Sequence, residues 1–162
     1  MSQENNSYEV NMERKAYEIA KKAHDGQFDK GARPYIEHPL RVAHSFRDNY
    51  QARIVALLHD VIEDSDFTYE DISNEGFDED IIEALRVITK EDNIDYMSYI
   101  KNVYSNELAR MVKIEDLKHN MDLSRIPNPT HADYTRVDKY KDALAYLKKT
   151  NGEDKQWRQN KL

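Results

Sequence analysis

The strongest indication of the fold is the segment Ala56-Leu57-Leu58-His59-Asp60-Val61-Ile62-Glu63-Asp64-Ser65. Its apolar residues follow the i, i+1, i+4, i+5 spacing of one helical stripe: Leu57, Leu58, Val61 and Ile62. A stripe of this kind is typical of a helix that packs into a core. The pattern predicts a buried helix over about residues 51–64, the third helix of the chain.

The same segment carries a group of ionisable side chains: His59, Asp60, Glu63 and Asp64. His59 is four residues from Glu63, and residues at that spacing share a helical face. Ionisable groups beside a core are costly unless their charge is compensated. A divalent cation would compensate it, since imidazole nitrogen and carboxylate oxygen are common metal ligands. The alternative is a helix whose solvent-facing side is simply acidic.

Composition narrows the class of protein. The 162 residues suffice for one domain with a real core, and the formal charge of −7 argues against a general nucleic-acid binder. The absence of cysteine excludes a disulfide framework and a zinc–thiolate site. No apolar run approaches the roughly 20 residues of a membrane helix, and the polar N-terminus does not look like a secretory signal. We therefore expect a soluble cytoplasmic protein with no membrane or nucleic-acid partner, in which locally gathered cations could still bind a phosphorylated small molecule.

Apolar residues recur at helical spacing along most of the chain, and no stretch alternates as a strand would. Four glycines and four prolines also favour long helices over a turn-rich β fold. The sequence therefore predicts an all-α protein with a single helical domain. Its predicted parts are a disordered leader over residues 1–9, the domain over residues 10–149 and a polar tail over residues 150–162.

Local signals predict where several helices begin. Asn11 is expected to cap the first helix and Asp78 a later one, and Asn106 is expected to begin a further helix. Pro39 suits the first turn of the second helix, because proline is tolerated there. His38 is then the last loop residue before that helix.

A second polar pair, Asp116 and Asn120, lies four residues apart on a later helix. Asp116 is either a surface acid or the fourth member of a set of metal ligands. The other members would be His38, His59 and Asp60. Two imidazoles and two carboxylates suit Mn²⁺, Fe²⁺ or Zn²⁺ better than Mg²⁺ or Ca²⁺, which favour all-oxygen sites.

The order His38, His59-Asp60 and Asp116 resembles the H…HD…D pattern of HD-domain phosphohydrolases. The match is closer to the hydrolase domain of RelA/SpoT-type enzymes and to the stand-alone small alarmone hydrolases. The resemblance is carried by four stretches: Ala23-His24-Asp25-Gly26-Gln27, Pro34-Tyr35-Ile36-Glu37-His38-Pro39-Leu40, Ala56-Leu57-Leu58-His59-Asp60-Val61-Ile62-Glu63-Asp64, and Lys113-Ile114-Glu115-Asp116 through Asn120. HD alone is a weak signal, whereas HD followed by Glu-Asp, with PYI-x-HP before it, is specific.

The resemblance implies an HD-domain helical bundle that uses Mn²⁺, or another divalent transition metal, to remove the 3′-pyrophosphate of the alarmone (p)ppGpp. The implied metal ligands are His38, His59, Asp60 and Asp116. The acidic pair Glu63 and Asp64 matches the residues that position and activate the attacking water, and which of the two is the base stays open. Contacts with the nucleotide substrate are implied for Lys30, Asn120, Arg136 and Tyr140.

One position departs from the family pattern. Bacterial members commonly have Arg-Lys in the loop before PYI, where the arginine packs against guanine, and this chain has Asp29-Lys30. Two alternatives therefore remain: an HD phosphohydrolase for another nucleotide, such as an adenine alarmone or a nucleotide 2′- or 3′-phosphate, and a non-catalytic, antitoxin-like binding module. Retention of the complete metal and acidic set favours an enzyme. His24 is expected to be a hydrogen-bonded histidine at a helix end.

Overall fold

The computed structural model describes residues 3–149, and over this range the protein is all-α, as predicted. None of the helices in this range is long and apolar enough to cross a membrane. A 3₁₀ helix, Leu123–Arg125, lies between the last two α-helices. The α-helices are α1 (Gln3–Ala23), α2 (Glu37–His44), α3 (Tyr50–Leu58), α4 (Val61–Asp64), α5 (Tyr69–Asn74), α6 (Glu79–Ile88), α7 (Tyr96–Tyr104), α8 (Glu107–Asn120) and α9 (His131–Leu147).

Helix α3 is the centre of the core. It packs against α1, α2, α6 and α8, and its completely buried residues include Ile54, Val55, Ala56 and Leu58. A helix that is apolar on nearly every side is stable only when other helices surround it. Its C-terminal end therefore places the residues that follow deep in the bundle, where α2 and α8 also pass.

The predicted third helix is interrupted in the structure. Helix α3 ends at Leu58, and a separate turn of helix, α4, begins at Val61. His59 Nδ1 donates a 2.6 Å hydrogen bond to the Ala56 carbonyl, which satisfies one of the acceptors left free at a helix end. Asp60 adopts φ −102° and ψ −3° between the two helices. The prediction of one continuous helix is therefore wrong at His59 and Asp60, two of the predicted metal ligands.

Helix α1 begins at Gln3, so the predicted disordered leader over residues 1–9 is wrong for its described part. The Tyr8 hydroxyl donates a 3.1 Å hydrogen bond to Asp78 Oδ1, which ties the first turns of α1 to the start of α6. A polar segment can remain helical when tertiary contacts hold it in this way. The predicted tail over residues 150–162 lies outside the described residues.

Two predicted helix starts and one predicted capping hydrogen bond differ from the structure. Asn11 lies inside α1, and His38 lies in the first turn of α2 rather than in the loop before it. Asp78 precedes α6 but makes no capping hydrogen bond, because its carboxylate accepts one from the Tyr50 hydroxyl at 2.5 Å. Asn106 does cap α8, accepting a backbone N–H at 2.9 Å.

Candidate metal centre and active site

Three polar side chains meet beside the end of α3. His38 comes from the first turn of α2, and His59 and Asp60 follow α3. One ligand-type atom of each residue lies within 4.8 Å of those of the other two. Both imidazoles are 3 % exposed, so almost no solvent reaches the histidine side of the cluster.

Asp116 joins these residues from α8. Its Oδ1 lies 2.8 Å from His38 Nε2 and 3.2 Å from His59 Nε2. Asp60 Oδ2 lies 3.1 Å from the same His59 atom. Ligand atoms about 2.1 Å from a divalent ion stand roughly 3 Å from one another. The separations and the donor types of this His–Asp cluster (His38, His59, Asp60 and Asp116) therefore fit a divalent cation.

Each imidazole of the His–Asp cluster is held through its second ring nitrogen. His59 Nδ1 donates to the Ala56 carbonyl, and this bond leaves Nε2 facing the cluster. His38 Nδ1 lies 2.7 Å from Nδ1 of His119, a residue near the end of α8. Such hydrogen bonds fix ring orientation and tautomer at metal sites.

The two carboxylates of the cluster are also supported. The Tyr35 hydroxyl donates to Asp60 Oδ2 at 2.7 Å. Asp116 accepts from Lys113 Nζ at 2.8 Å on Oδ2 and from Asn120 Nδ2 at 2.9 Å on Oδ1. The supporting roles of Tyr35 and Lys113 were not predicted from the sequence, although both residues lie in the four stretches that carry the family resemblance.

Opposite charges control ionisation inside the cluster. Burial disfavours the charged form of His59, but Asp60 and Asp116 outweigh it, so the pKa of His59 is raised well above its usual value. Burial also opposes ionisation of Asp116, yet Lys113 and His59 hold its pKa well below the usual range. The carboxylate thus stays ionised, which is the form that binds metal.

The acidic pair Glu63 and Asp64 closes α4 and is exposed to solvent. Glu63 Oε1 accepts a 2.8 Å hydrogen bond from the Lys90 backbone N–H, whereas within residues 3–149 the Asp64 carboxylate has no such partner. Partial burial, followed by the charges of Asp60 and Glu63, raises the pKa of Asp64 to about 6. Asp64 is therefore the freer carboxylate of the pair, and it titrates near neutrality.

The raised pKa of Asp64 predicts a pH-dependent effect on stability. In metal-free protein we expect Asp64→Asn to increase the free energy of unfolding at pH 7 by about 1 kcal/mol, well below what the full shift would give, because the side chain is exposed. The folded wild type binds this proton more tightly than the unfolded chain. Its stabilising contribution is therefore complete below about pH 4 and is lost as the pH rises through about 6.

Urea unfolding in the presence of a chelator, between about pH 4 and pH 7, measures this difference. The matched control is Asp66→Asn, because Asp66 is exposed and lies two residues further on. We expect the gain of Asp64→Asn to vanish at the acidic end and to exceed that of the control at pH 7. Equal gains for the two variants would contradict the prediction.

A cavity of about 420 Å³ lies beside the two carboxylates of the His–Asp cluster and the acidic pair. Six acidic residues line it: Asp29, Asp60, Glu63, Asp64, Asp116 and Asp122. The residues predicted to contact substrate line the same cavity: Lys30, Asn120, Arg136 and Tyr140. The structure therefore gathers carboxylates, cations and part of the His–Asp cluster around one space large enough for a small molecule.

A buried carboxylate joins the two cations. Lys30 Nζ and Arg136 Nη2 each donate to Asp133 Oδ1 at 2.9 Å, and Asp133 is only 4 % exposed. The other Asp133 oxygen accepts from the Thr130 backbone N–H at 2.8 Å, which is part of the capping box of α9. Asp133 was not predicted from the sequence, although the spacing Thr130-x-x-Asp133 is a recognisable signal for that capping box.

Asp29 is held by its own loop and by an arginine. Its Oδ1 accepts from the backbone N–H groups of Gly31 at 2.8 Å and Arg33 at 3.0 Å, and its Oδ2 accepts from Arg125 Nη1 at 3.2 Å. Arg125 comes from the 3₁₀ helix and also lines the cavity. No local signal could have found it, because the contact joins positions 96 residues apart.

His24 follows the end of α1, and its Nδ1 lies 2.8 Å from Gln27 Oε1. The predicted hydrogen bond of a helix-end histidine is therefore confirmed. Burial of the ring lowers the pKa of His24, so this histidine is neutral at pH 7.

Comparisons with known proteins point to one group of relatives. No protein-family model matches the chain. The guanosine-3′,5′-bis(diphosphate) 3′-pyrophosphohydrolase of Aquifex aeolicus is 42 % identical over 87 residues, covering 52 % of this chain and 12 % of that protein. The protein of the same name from Borreliella burgdorferi is 35 % identical over 143 residues, covering 75 % of this chain and 21 % of that protein. This chain thus spans about a fifth or less of the length of these two relatives.

A solved structure, described as a metazoan ortholog of SpoT that hydrolyses ppGpp, has the same fold. Its TM-score is 0.71, with 22 % identity, over 92 % of this chain and 95 % of that chain. At this level of identity the likeness concerns the fold alone, and it confirms the predicted helical bundle. In sequence and in fold, this chain resembles the RelA/SpoT-type (p)ppGpp hydrolases.

Proposed function

We propose that this protein is a metal-dependent phosphohydrolase that removes the 3′-pyrophosphate of guanosine alarmones, (p)ppGpp. The observation that carries the proposal is that one cavity is lined by the two carboxylates of the His–Asp cluster, by Glu63 and Asp64, and by the cations Lys30 and Arg136. Phosphoryl transfer requires positioning and charge stabilisation around the reacting phosphorus, and these residue types supply both. The names of the curated relatives supply the substrate class.

Mn²⁺ is the proposed ion. Its ligands would be the members of the His–Asp cluster: His38, His59, Asp60 and Asp116. This mixed set of nitrogen and oxygen donors suits Mn²⁺, Fe²⁺ or Zn²⁺ better than Mg²⁺ or Ca²⁺. When bound, such an ion polarises a phosphoryl oxygen and lowers the pKa of water. Burial of the imidazoles and the hydrogen bonds behind each ligand favour a preformed site.

Asp64 is the proposed general base. Its carboxylate has no hydrogen-bond donor among residues 3–149, and a pKa of about 6 is close to the value that suits proton transfer at neutral pH. Glu63 is tied to the Lys90 backbone N–H, so we assign it to orienting the attacking water. A proton taken by Asp64 can pass to solvent, because the side chain is exposed.

Lys30 and Arg136 are the proposed ligands of the pyrophosphate group. Charge-assisted hydrogen bonds to phosphate are strong, and those from arginine can be bidentate. Both side chains line the cavity and are held in place through Asp133. Asn120 and Tyr140, on α8 and α9, are proposed to contact the nucleoside. The substrate would thus lie between the His–Asp cluster and the start of α9.

A second candidate function is an HD phosphohydrolase for a different nucleotide, such as an adenine alarmone or a nucleotide 2′- or 3′-phosphate. Asp29 favours it, because an acid stands where bacterial relatives commonly have the arginine that packs against guanine. Arg125 Nη1 lies 3.2 Å from Asp29 Oδ2, so an arginine is nevertheless present beside Asp29. Its guanidinium offers a planar surface on which a nucleobase could stack.

A substrate panel on Mn²⁺-loaded protein tests these proposals. We expect ppGpp to yield pyrophosphate and GDP, and ³¹P NMR measures both products. We expect no release of pyrophosphate when a chelator is added in place of Mn²⁺. Parallel reactions contain the adenine analogue and nucleoside 2′- and 3′-phosphates. Cleavage of one of these with no reaction of ppGpp would favour the second candidate. Mn²⁺ binding without cleavage of any substrate would leave the non-catalytic binding module.

A further inference from the structure

His119, near the C-terminal end of α8, lies directly behind one of the proposed metal ligands. Its Nδ1 is 2.7 Å from Nδ1 of His38, and the two rings stack with centroids 5.0 Å apart and 17° between their planes. A hydrogen bond between two imidazole nitrogens requires one to donate and the other to accept. The contact therefore has a direction.

The second nitrogen of His38 determines that direction. His38 Nε2 lies 2.8 Å from Asp116 Oδ1 and 3.7 Å from Asp60 Oδ2, so it is the nitrogen that faces the His–Asp cluster. A ring nitrogen that binds a cation must present its lone pair, which leaves the proton on the other nitrogen. His38 Nδ1 must then donate and His119 Nδ1 must accept, with the proton of His119 on its Nε2.

The surroundings suit His119 as the acceptor. Arg125 Nη2 donates to the His119 carbonyl at 3.1 Å, which fixes the residue at the end of α8. His38 is 3 % exposed, so water has little access to its Nδ1 and His119 is the partner that this nitrogen meets.

We propose that His119 is a positioning residue that holds His38 in its Nδ1–H tautomer and so presents Nε2 to the metal. This inference rests on the metal site of the proposed function and is independent of which nucleotide is cleaved. The position behind a metal-ligating histidine is commonly taken by a carboxylate, a backbone carbonyl or water. A neutral imidazole there orients the ring without adding negative charge beside Asp60 and Asp116.

Two substitutions of similar size test this role. His119→Asn keeps an acceptor oxygen close to the position of Nδ1, and His119→Leu removes it. We expect the leucine variant to lose roughly 10–100-fold in Mn²⁺ affinity and the asparagine variant to stay within about threefold of wild type. Competition with a metal chelator measures the affinity on the full chain, and circular dichroism checks the fold. Equal affinities for the leucine variant and wild type, or equal losses for both variants, would overturn the proposal.

If the leucine variant does not fold, the tautomers of His38 and His119 can be measured in the wild type instead. In Zn²⁺-loaded protein labelled with ¹⁵N, we expect protons on His38 Nδ1 and His119 Nε2, with His119 Nδ1 unprotonated. A proton on His119 Nδ1 would overturn the proposal. Intact metal binding with the expected tautomers, but without hydrolysis of any nucleotide, would count against the proposed function and leave the role of His119 supported.

Discussion

Replacing Asp60 with asparagine is expected to abolish Mn²⁺-dependent release of pyrophosphate from ppGpp. Asp60 Oδ2 lies 3.1 Å from His59 Nε2 and accepts the Tyr35 hydroxyl at 2.7 Å. The amide has nearly the same volume but no charge to hold a cation. Because a bound metal contributes several kcal/mol of transition-state stabilisation, we expect kcat/KM to fall by roughly 10³-fold or more.

Asp138→Asn is the matched control for this experiment. It removes the same charge from α9, where the Asp138 side chain is 79 % exposed, and we expect it to leave activity unchanged. Circular dichroism should show that both variants keep their helices, since Asp60 lies between α3 and α4 and caps neither with its side chain. Retention of more than about a tenth of wild-type kcat/KM by Asp60→Asn would contradict its role as a ligand.

The second large effect concerns stability. In metal-free protein, Asp116→Asn is expected to lower the free energy of unfolding by about 3 kcal/mol, because it leaves the charge of Lys113 buried without its partner. The asparagine can still accept the hydrogen bond from Asn120 Nδ2, so the main loss is the 2.8 Å ion pair between Lys113 Nζ and Asp116 Oδ2. Side-chain exposures of 15 % and 3 % show how little solvent reaches the pair.

The double variant Lys113→Met/Asp116→Asn separates charge from packing. Removing both charges should recover at least half of the free energy of unfolding that Asp116→Asn loses, because no unpaired buried charge remains. The pair of Lys118 and Glu115 on the same helix is the control. It has the same 2.8 Å separation but exposures of 45 % and 27 %, so Glu115→Gln should change stability by less than about 0.5 kcal/mol. Urea unfolding with a chelator measures all three, and a loss below about 1 kcal/mol for Asp116→Asn would contradict the argument.

The helical class of the protein could be read from the sequence because helical periodicity is local. Each amphipathic segment reveals its apolar face within two turns, so the all-α bundle followed from spacing alone. The break between α3 and α4 could not be read in this way. It depends on the His59 side chain reaching the Ala56 carbonyl, a competition between side chain and backbone that apolar spacing does not report.

The candidate site was accessible from the sequence only where residues belonged to a recognised pattern. His38 and Asp116 are far apart in the chain, and the family resemblance grouped them before the structure placed them 2.8 Å apart. Asp133 and Arg125 belong to no such pattern. Their contacts with Lys30 and Asp29 join the loop before α2 to the start of α9 and to the 3₁₀ helix, and only tertiary structure creates them. The roles of all these residues stay predictions until the variants are measured.

The shared carboxylate at the start of α9 has a consequence for ligand choice. Because Asp133 accepts hydrogen bonds from both Lys30 and Arg136, its single negative charge offsets only part of their combined positive charge. The same acid belongs to the capping box of α9, so it keeps both cations at the start of that helix while a positive charge remains for an incoming anion. A compact anion with several negative charges gains more from this remaining charge than a singly charged phosphate diester does.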